Sequence, residues 1–231
     1  MRYRSAAKKN ILRQEHKEAR VGFALEYMVF HNNFWNNVIF TDEKTFQSTY
    51  SGAIRVYRPA YSRYDERYIN NSDKSGRFSI NLWAWISARG PGVLWHIDSR
   101  FNSEEYIRIL DNIMLPSVSQ LYPNNEFIFQ QDNCPIHTAH AVKNWFRENN
   151  INMLNWPSRS PDLNCIENVW GLLLRNIRNQ NIRPRNAQGL LEVINNAWEN
   201  VVTQEYCINL VNSMQRRLTD VINRNGAMTK Y

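Results

Sequence analysis

Three acidic residues lie in segments whose patterns could bring their carboxylates to one place. Asp42 and Asp132 each directly follow a short apolar run, and Glu167 lies near the start of a helical pattern. Thirty-four residues separate Asp132 from Glu167. Hard carboxylate oxygens gathered from distant segments are the ligands that a pair of Mg²⁺ or Mn²⁺ ions requires. Such a pair can drive in-line displacement at a phosphodiester, so the three acids indicate a class of reaction.

The two aspartates are predicted to stand at the ends of strands. Val38–Thr41 immediately precedes Asp42, and Phe127–Gln131 immediately precedes Asp132. Open α/β sheets present ligand sites at strand ends. The alternative is that each aspartate only punctuates a turn, which is a common use of Asp after a strand. For either residue alone the turn is favoured, so the prediction depends on the three acids together.

Glu167 is predicted to lie beside the apolar stripe of a helix rather than opposite to it. At about 100° per residue, a side chain in that position can point along the sheet surface towards the strand ends. Alternatively, Glu167 is the acid of a capping box that begins at Asn164, and both roles can hold together. Pro157 and Pro161 would rigidify the approach to this helix. The stripe consists of Ile166, Val169, Trp170, Leu173, Leu174 and Ile177.

The order of the predicted elements indicates an α/β fold with a mixed sheet covered by helices on both faces. Asn102 and Glu105 resemble a capping box, and Pro116 is expected to break or kink the helix that they begin. The predicted strands are 38–41, 45–48, 53–57, 78–87, 93–97, 127–131 and 151–155. The predicted helices are 5–29, one beginning near 102, 136–149, 164–178, 187–200 and 204–223, with a loop at 58–76.

The charge of the chain favours a polyanionic partner. The net charge is +7 and the pI is about 9.4, and residues 1–20 alone hold seven Lys or Arg against two Glu. Most basic runs end up as solvated helix faces, so the charge by itself leaves the partner open. Two further basic clusters are Arg175, Arg178, Arg183 and Arg185, and Arg216, Arg217, Arg224 and Lys230.

The composition narrows the class of protein. With 43% hydrophobic and 13% aromatic residues, the 231-residue chain can bury a core, which argues against disorder. Cys134, Cys165 and Cys207 include no Cys-x-x-Cys pair, so buried thiols in a reducing compartment are favoured over disulfides. The sequence contains neither an 18-residue apolar run nor a start typical of a signal peptide, so we expect no membrane span and no secretion.

Three ordered motifs give the sequence a close resemblance to a known family. They are Thr-Asp-Glu-Lys-Thr-Phe at 41–46, Gln-Gln-Asp-Asn-x-Pro-x-His-Thr-Ala at 130–139, and Trp-Pro-x-x-Ser-Pro-Asp-Leu-Asn-x-Ile-Glu-Asn-x-Trp at 156–170. Three motifs with this order and spacing make chance a poor explanation. Over nearly its whole length the chain resembles the cut-and-paste transposases of the mariner superfamily, in the branch whose acidic triad ends in Glu.

The resemblance implies an RNase H-like catalytic domain, similar to the catalytic core of retroviral integrases. It implies that Asp42, Asp132 and Glu167 are catalytic and bind two divalent ions, Mg²⁺ or Mn²⁺. The implied activity is cleavage of one strand of double-stranded DNA, followed by attack of the exposed 3′-hydroxyl on target DNA. The resemblance also implies a nuclear protein that works as a homodimer.

The resemblance further divides the chain at residue 30. Residues 1–30 are expected to be a basic helical junction, a remnant of the DNA-reading region, and residues 31–231 the RNase H-like domain with C-terminal helices. Relatives carry paired helix-turn-helix modules before this point, and the chain starts at about the last helix of that region. We therefore expect DNA binding with little sequence preference. Cys134 and Cys165 depart from the Ala and Pro that relatives often carry, and Cys165 could loosen the start of the Glu167 helix.

Six residues are candidates for contact with DNA. His137 matches the family motif, where it would orient other groups or contact DNA. Trp156 could stack on bases or pack in the core, whereas core packing is predicted for Trp83, Trp85 and Trp170. The six candidates are His137, Trp156, Arg159, Lys8, Lys9 and Arg13.

Other groups near the motifs receive weaker roles. The run Cys134, His137 and His140 does not predict a zinc site, because it lacks a second ligand pair and straddles a proline and a helix start. Glu43 and Asp162 are predicted to be surface or helix-start residues, although Asp162 is the second choice for the third metal-binding acid.

Two other functions compete with transposition. A metal-dependent nuclease of the RNase H or resolvase kind would use the same fold, but the motif context and the spacing of the acids weigh against it. A truncated or repurposed transposase would bind DNA without catalysis, but the intact acids weigh against that.

Overall fold

The computed structural model describes residues 11–30, 32–48, 58–62, 65–68, 78–98, 100–180, 182 and 184–231. These residues form a five-stranded mixed sheet with the strand order β3-β2-β1-β4-β5. The strands are β1 (Val38–Gln47), β2 (Ser79–Ser87), β3 (Gly90–Ile97), β4 (Ile128–Gln130) and β5 (Asn152–Met153). The helices are α1 (Gln14–Met28), α2 (Asn32–Trp35), α3 (Ser103–Ile109), α4 (Leu115–Leu121), α5 (His140–Glu148), α6 (Ile166–Gln180), α7 (Ala187–Val201), α8 (Gln204–Val211) and α9 (Met214–Asn223).

The central strand β1 joins an antiparallel half of the sheet to a parallel half. On one side β1 pairs antiparallel with β2 along most of its length, and β2 pairs antiparallel with β3. On the other side β1 pairs parallel with β4 only over Val38–Phe40, and β4 pairs parallel with β5. Among the described residues, therefore, no strand pairs with the β4 side of β1 beyond Phe40, and this side is open to side chains from loops and helices.

Alternation along the strands feeds two apolar cores, one on each face of the sheet. Val38 and Phe40 point into the core that α1 and α6 to α9 cover, whereas Ile39 points into the core that α3, α4 and α5 cover. Trp83 and Trp85 are fully buried in the second core and Trp170 in the first, as predicted. The mixed sheet with helices on both faces is thus confirmed.

Several predicted elements have different bounds. The short strand 38–41 and the strand 45–48 are one continuous strand, and the predicted helix 204–223 is two helices separated by Asn212 and Ser213. The predicted break or kink at Pro116 has a different form. A π-helical segment, Leu110–Met114, separates α3 from α4, and Pro116 lies in the first turn of α4, where a residue without an N–H is tolerated. The predicted strand 53–57 lies outside the described residues.

Helix α1 packs against the rest of the domain through its buried residues Arg20, Phe23 and Ala24, and it contacts α9. The described part of the predicted junction, residues 11–30, is therefore attached to the rest of the described domain. The division at residue 30 stays a prediction. No helix among the described residues is long and apolar enough to cross a membrane.

Candidate active site

Asp42 lies in the middle of β1, not at a strand end as predicted. It pairs with Ala84 of β2, and β1 continues to Gln47. Its position is nevertheless open on the other side, because the parallel ladder with β4 stops at the pair Phe40 and Gln130. If the register of the parallel ladder is continued by two residues, Asp42 is level with Asp132, which is the second residue after the end of β4.

The three predicted acids line one cleft. Asp42, Asp132 and Glu167 all border a cleft of about 530 Å³, together with the loop from Trp156 to Pro161. The structure thus places at one cleft carboxylates from the centre of a strand, from the segment that follows another strand and from the first turn of α6. Carboxylates on the walls of one cleft suit a hard divalent cation.

Asp42 is the acid that is most strongly perturbed in the cleft. Trp170 on α6 donates a hydrogen bond from Nε1 to Asp42 Oδ2 at 2.9 Å. Burial raises the pKa of Asp42 well above its usual value, and the nearby carboxylates of Glu167 and Glu43 raise it further. Buried, mutually repelling carboxylates are a poor arrangement without a cation, so the donor set fits the predicted metal.

Glu167 is directed towards β1. Its Oε2 lies 3.4 Å from Nζ of Lys44, two residues beyond Asp42 on the same strand. Asn164 fixes the start of α6, because its Nδ2 donates to the carbonyl oxygen of Thr41 at 2.9 Å and its Oδ1 accepts from the N–H of Ile166. Asn164 therefore satisfies the N–H of the first residue of α6 and ties the start of this helix to β1 beside Asp42. The predicted capping box with Glu167 stays a prediction.

Cys165 does not leave the start of α6 loosely packed. Its side chain is fully buried, and its thiol contacts the carbonyl oxygen of Leu210 on α8 at 3.5 Å. Burial raises the pKa of the thiol to about 11, so the group stays neutral in the core. The expected loosening of Glu167 by Cys165 therefore has no support in the packing.

Asp132 is oriented by a histidine rather than by its strand. Nδ1 of His137 lies 2.7 Å from Asp132 Oδ1, and the backbone N–H of Cys134 donates to the same oxygen at 2.9 Å. Burial raises the pKa of Asp132, but these two hydrogen bonds outweigh it and hold the pKa below its usual value. Asp132 is therefore ionised and fixed in direction.

His137 stands between two acids. On the side opposite Asp132, its Nε2 lies 3.3 Å from Glu43 Oε1, although the angle there is poor for a hydrogen bond. Burial lowers the pKa of His137, but the two carboxylates outweigh burial and raise it to about 10. His137 is only 3% exposed. This burial corrects the prediction that it contacts DNA, and supports the alternative that it orients other groups.

Further contacts hold His137 in place. The ring of Tyr106 lies 4.3 Å from the ring of His137. The Tyr106 hydroxyl donates to Gln131 Oε1 at 2.7 Å, and Gln131 Nε2 donates to the carbonyl oxygen of His137 at 3.3 Å. The direction of the Asp132 carboxylate is thus determined by a buried network that begins on α3.

Asp162 is not available as a metal ligand. Each of its carboxylate oxygens accepts from the guanidinium of Arg20, and Oδ2 also accepts from the N–H of Thr229 at 2.8 Å. The residue is 4% exposed. These contacts correct two predictions, that Asp162 is a surface or helix-start residue and that it is the second choice for the third acid. Glu43 is likewise partly buried in β1 rather than a surface residue.

The remaining DNA-contact candidates divide by exposure. Trp156 is only 5% exposed and packs edge-on against Phe23, with ring centroids 5.3 Å apart. Of the two roles predicted for Trp156, the structure therefore supports packing in the core and not stacking on bases. Arg159 and Arg13 are exposed, and Arg159 also borders the cleft. Lys8 and Lys9 lie outside the described residues.

Arg159 has a backbone conformation that side chains seldom adopt. Its φ is 57°, in the left-handed region that normally favours glycine. It stands at the tip of the loop between Pro157 and Pro161, which forms one wall of the cleft. The packing of this loop therefore fixes the backbone of Arg159 at the edge of the cleft, at a small cost in free energy.

Sequence reasoning missed one residue that borders the cleft and one that contacts a cleft residue. His16 of α1 borders the cleft, and Lys44 of β1 pairs with Glu167. The sequence carries no signal for His16, since its position depends on how α1 docks against the loop 157–161. A signal for Lys44 exists, because two residues along a strand return a side chain to the same face as Asp42.

Comparison with known proteins defines the family. Residues 37–188 match the DDE superfamily endonuclease domain. The transposable element Tcb2 transposase of Caenorhabditis briggsae is 33% identical over 99% of this chain and 82% of its own length. The Tc1 transposase of Caenorhabditis elegans is 34% identical with the same coverage of both chains. The chain therefore belongs to the DDE superfamily, and it is closely related to the Tc1/mariner transposases.

Solved structures agree with the fold. The Mos1 mariner paired end complex with Mn superposes with a TM-score of 0.80 at 17% identity, covering 100% of this chain and 68% of that chain. The isolated catalytic domain of Mos1 mariner transposase superposes with a TM-score of 0.72 at 16% identity, covering 97% of this chain and 100% of that domain. The predicted RNase H-like fold class is thus confirmed.

Proposed function

We propose that this chain is the catalytic part of a cut-and-paste transposase that cleaves DNA strands and joins them to target DNA. The observation that carries the proposal is the convergence of Asp42, Asp132 and Glu167 on one cleft in a chain of the DDE superfamily. These residues form the acidic triad, in the branch that ends in Glu. Mos1 structures containing Mg and Mn support a divalent ion as the cofactor, and we propose two such ions.

Each acid has its own means of support in the proposed mechanism. Trp170 holds Asp42, His137 holds Asp132, and Asn164 anchors the first turn of α6 that carries Glu167. When bound, divalent ions supply Lewis acidity at the reacting phosphate and neutralise its developing charge. The three carboxylates hold the ions, and their fixed directions limit the reorganisation that the reaction requires.

DNA is proposed to approach along the side of the cleft that Arg159 borders. Arg159 and Arg13 are exposed cations on neighbouring segments, since Arg159 Nη1 lies 3.4 Å from the carbonyl oxygen of Ile11. Structural neighbours include the Mos1 paired-end complex with the left transposon end, which supports duplex DNA as the partner. We further propose that the protein acts in the nucleus and that it acts as a homodimer.

A strand-transfer assay tests the proposed function. A labelled DNA duplex with an exposed 3′-hydroxyl is incubated with a supercoiled plasmid, the protein and Mn²⁺, and joined products are resolved on a gel. We expect nicked and joined plasmid with the native chain and at least a hundredfold less with Glu167→Gln. The matched control is Asp111→Asn, which neutralises an exposed carboxylate outside the cleft and should keep the native level.

The outcomes separate the competing functions. Cleavage without joining would indicate a nuclease on the same fold. DNA binding without either reaction would indicate a non-catalytic relative. Full activity in Glu167→Gln would remove Glu167 from the triad.

A further inference from the structure

The turn that carries Asp132 also places a thiol and an imidazole beside its carboxylate. A ligand atom from each of Asp132, Cys134 and His137 lies within 4.8 Å of the other two. His140, which follows in the sequence, is not part of this group. The sequence pattern Cys-x-x-His-x-x-His therefore does not describe the arrangement, and the third ligand atom is a carboxylate oxygen instead.

The chemistry of this group differs from that of the acidic triad. Mg²⁺ and Mn²⁺ select oxygen ligands, whereas Zn²⁺ and Cd²⁺ favour sulfur and nitrogen. In a tetrahedral zinc site the bonds of about 2.0–2.3 Å set neighbouring ligand atoms roughly 3.3–3.8 Å apart. His137 Nδ1 and Asp132 Oδ1, which lie 2.7 Å apart, would have to separate by about 0.6 Å. The pairs that involve Cys134 Sγ would have to close by at most about 1.5 Å, which a side-chain rotation of the partly exposed Cys134 can supply.

The outer contact of His137 also matches a metal ligand. A ligating histidine commonly has a carboxylate at its second ring nitrogen, which fixes the ring. Nδ1 of His137 faces the group, and Nε2 lies 3.3 Å from Glu43 Oε1. Both Nε2 and Glu43 Oε1 are buried, and neither has a hydrogen-bond partner of good geometry. A cation at Nδ1 would make Nε2–H the donor to Glu43.

We propose that Asp132, Cys134 and His137 form a second metal site, selective for a thiophilic divalent cation such as Zn²⁺ and overlapping the candidate active site through Asp132. Binding would release two protons to solvent, the one between His137 Nδ1 and Asp132 and the thiol proton of Cys134. The cation would also withdraw Asp132 from Mg²⁺ or Mn²⁺. The site is therefore inhibitory, while its existence does not depend on the proposed enzymatic function.

A metal-binding titration tests the site directly. Chelator-treated protein with a phosphine reductant is titrated with Cd²⁺ in excess Mg²⁺, and thiolate-to-metal absorbance in the ultraviolet is followed. We expect one equivalent of Cd²⁺ per chain, displaced by Zn²⁺. Cys134→Ser should abolish the absorbance, and His137→Gln should weaken binding at least tenfold. His140→Gln is the matched control and should bind like the native chain.

Each result decides the proposal. Absorbance that persists in Cys134→Ser would assign it to Cys165 or Cys207 and overturn the site. Equal weakening by His140→Gln would also overturn it in favour of the sequence pattern. Should His137→Gln fail to fold, Cys134→Ser and His140→Gln still decide. In the Mn²⁺-dependent cleavage assay, inhibition of Cys134→Ser should require at least tenfold more Zn²⁺ than inhibition of the native chain. If the native chain cleaves no DNA at all, that result counts against the proposed function and not against the metal site.

Discussion

Arg20 and Asp162 form a buried ion pair with two parallel hydrogen bonds, between α1 and the loop that leads into α6. Arg20 Nη1 donates to Asp162 Oδ1 at 2.8 Å, and Nη2 donates to Oδ2 at 2.7 Å. Nε of Arg20 also donates to the carbonyl oxygen of Gly226. Segments near both ends of the described chain therefore meet at Asp162, five residues before Glu167. The geometry of the candidate site depends on these distant segments.

Breaking this pair should destabilise the whole domain. Arg20→Met leaves Asp162 buried without its counter-charge, and such a loss costs about 3–5 kcal/mol of unfolding free energy. Equilibrium denaturation by urea measures the change. Arg13→Met is the matched control on the same helix, and we expect a change within about 0.5 kcal/mol because Arg13 is 77% exposed. A loss below about 1 kcal/mol for Arg20→Met would show that the pair does not hold the segments together.

Neutralising Asp42 should raise stability in the absence of metal while it abolishes cleavage. Burial and the carboxylates of Glu167 and Glu43 raise the pKa of Asp42 above its unfolded value. Between the unfolded and the folded pKa of Asp42 the folded state loses stability as the pH rises. Above the folded pKa, Asp42→Asn should therefore be more stable than the native chain, because the asparagine carries no charge. Thermal unfolding in EDTA measures the difference, with about 2–4 °C expected per kcal/mol gained. If Asp42→Asn melted at a lower temperature than the native chain at pH 7, the result would contradict repulsion between Asp42 and the neighbouring carboxylates.

The contribution of His137 to stability should vanish at high pH. Its pKa is about 10 in the folded chain, because contacts with Asp132 and Glu43 outweigh burial, and about 6.5 when unfolded. The stabilisation is complete below pH 6.5 and is lost as the pH rises through 10. The native chain and His137→Gln, compared by urea denaturation between pH 6 and 10.5, should therefore converge. A constant difference would mean that His137 contributes packing alone.

Arg159 should contribute to DNA affinity without reading sequence. Arg159→Ala is expected to weaken binding to duplex DNA and to reduce the log–log salt slope by about 0.9 for the phosphate contact that is lost. Fluorescence anisotropy at several salt concentrations measures both. Lys143→Ala on α5 is the matched control, since Lys143 is exposed but does not border the cleft. A hundredfold preference of the native chain for one duplex over a scrambled one would contradict binding without sequence preference.

Local sequence patterns predicted much of the framework. Alternation and apolar runs identified most of the described strands. Successive side chains of a strand point to opposite faces of the sheet, so the pattern is visible in the sequence of the strand itself. The helical stripe around Trp170 predicted α6, and Asn164 predicted the region where α6 begins. The motifs around Asp42, Asp132 and Glu167 named three residues that border one cleft. Their role as the metal-binding triad stays a prediction.

What the tertiary structure decided was which polar and aromatic groups face solvent. Arg20 and Arg217 belong to clusters that the sequence offered as a surface for a polyanion, yet both are buried and bonded to the segment around Asp162. Trp156 and His137 are likewise buried. Sequence types and periods describe a residue's own element, whereas burial depends on which distant segment packs against it. The sequence therefore determined the acids and the elements, and only the long-range packing determined which groups can meet DNA or metal.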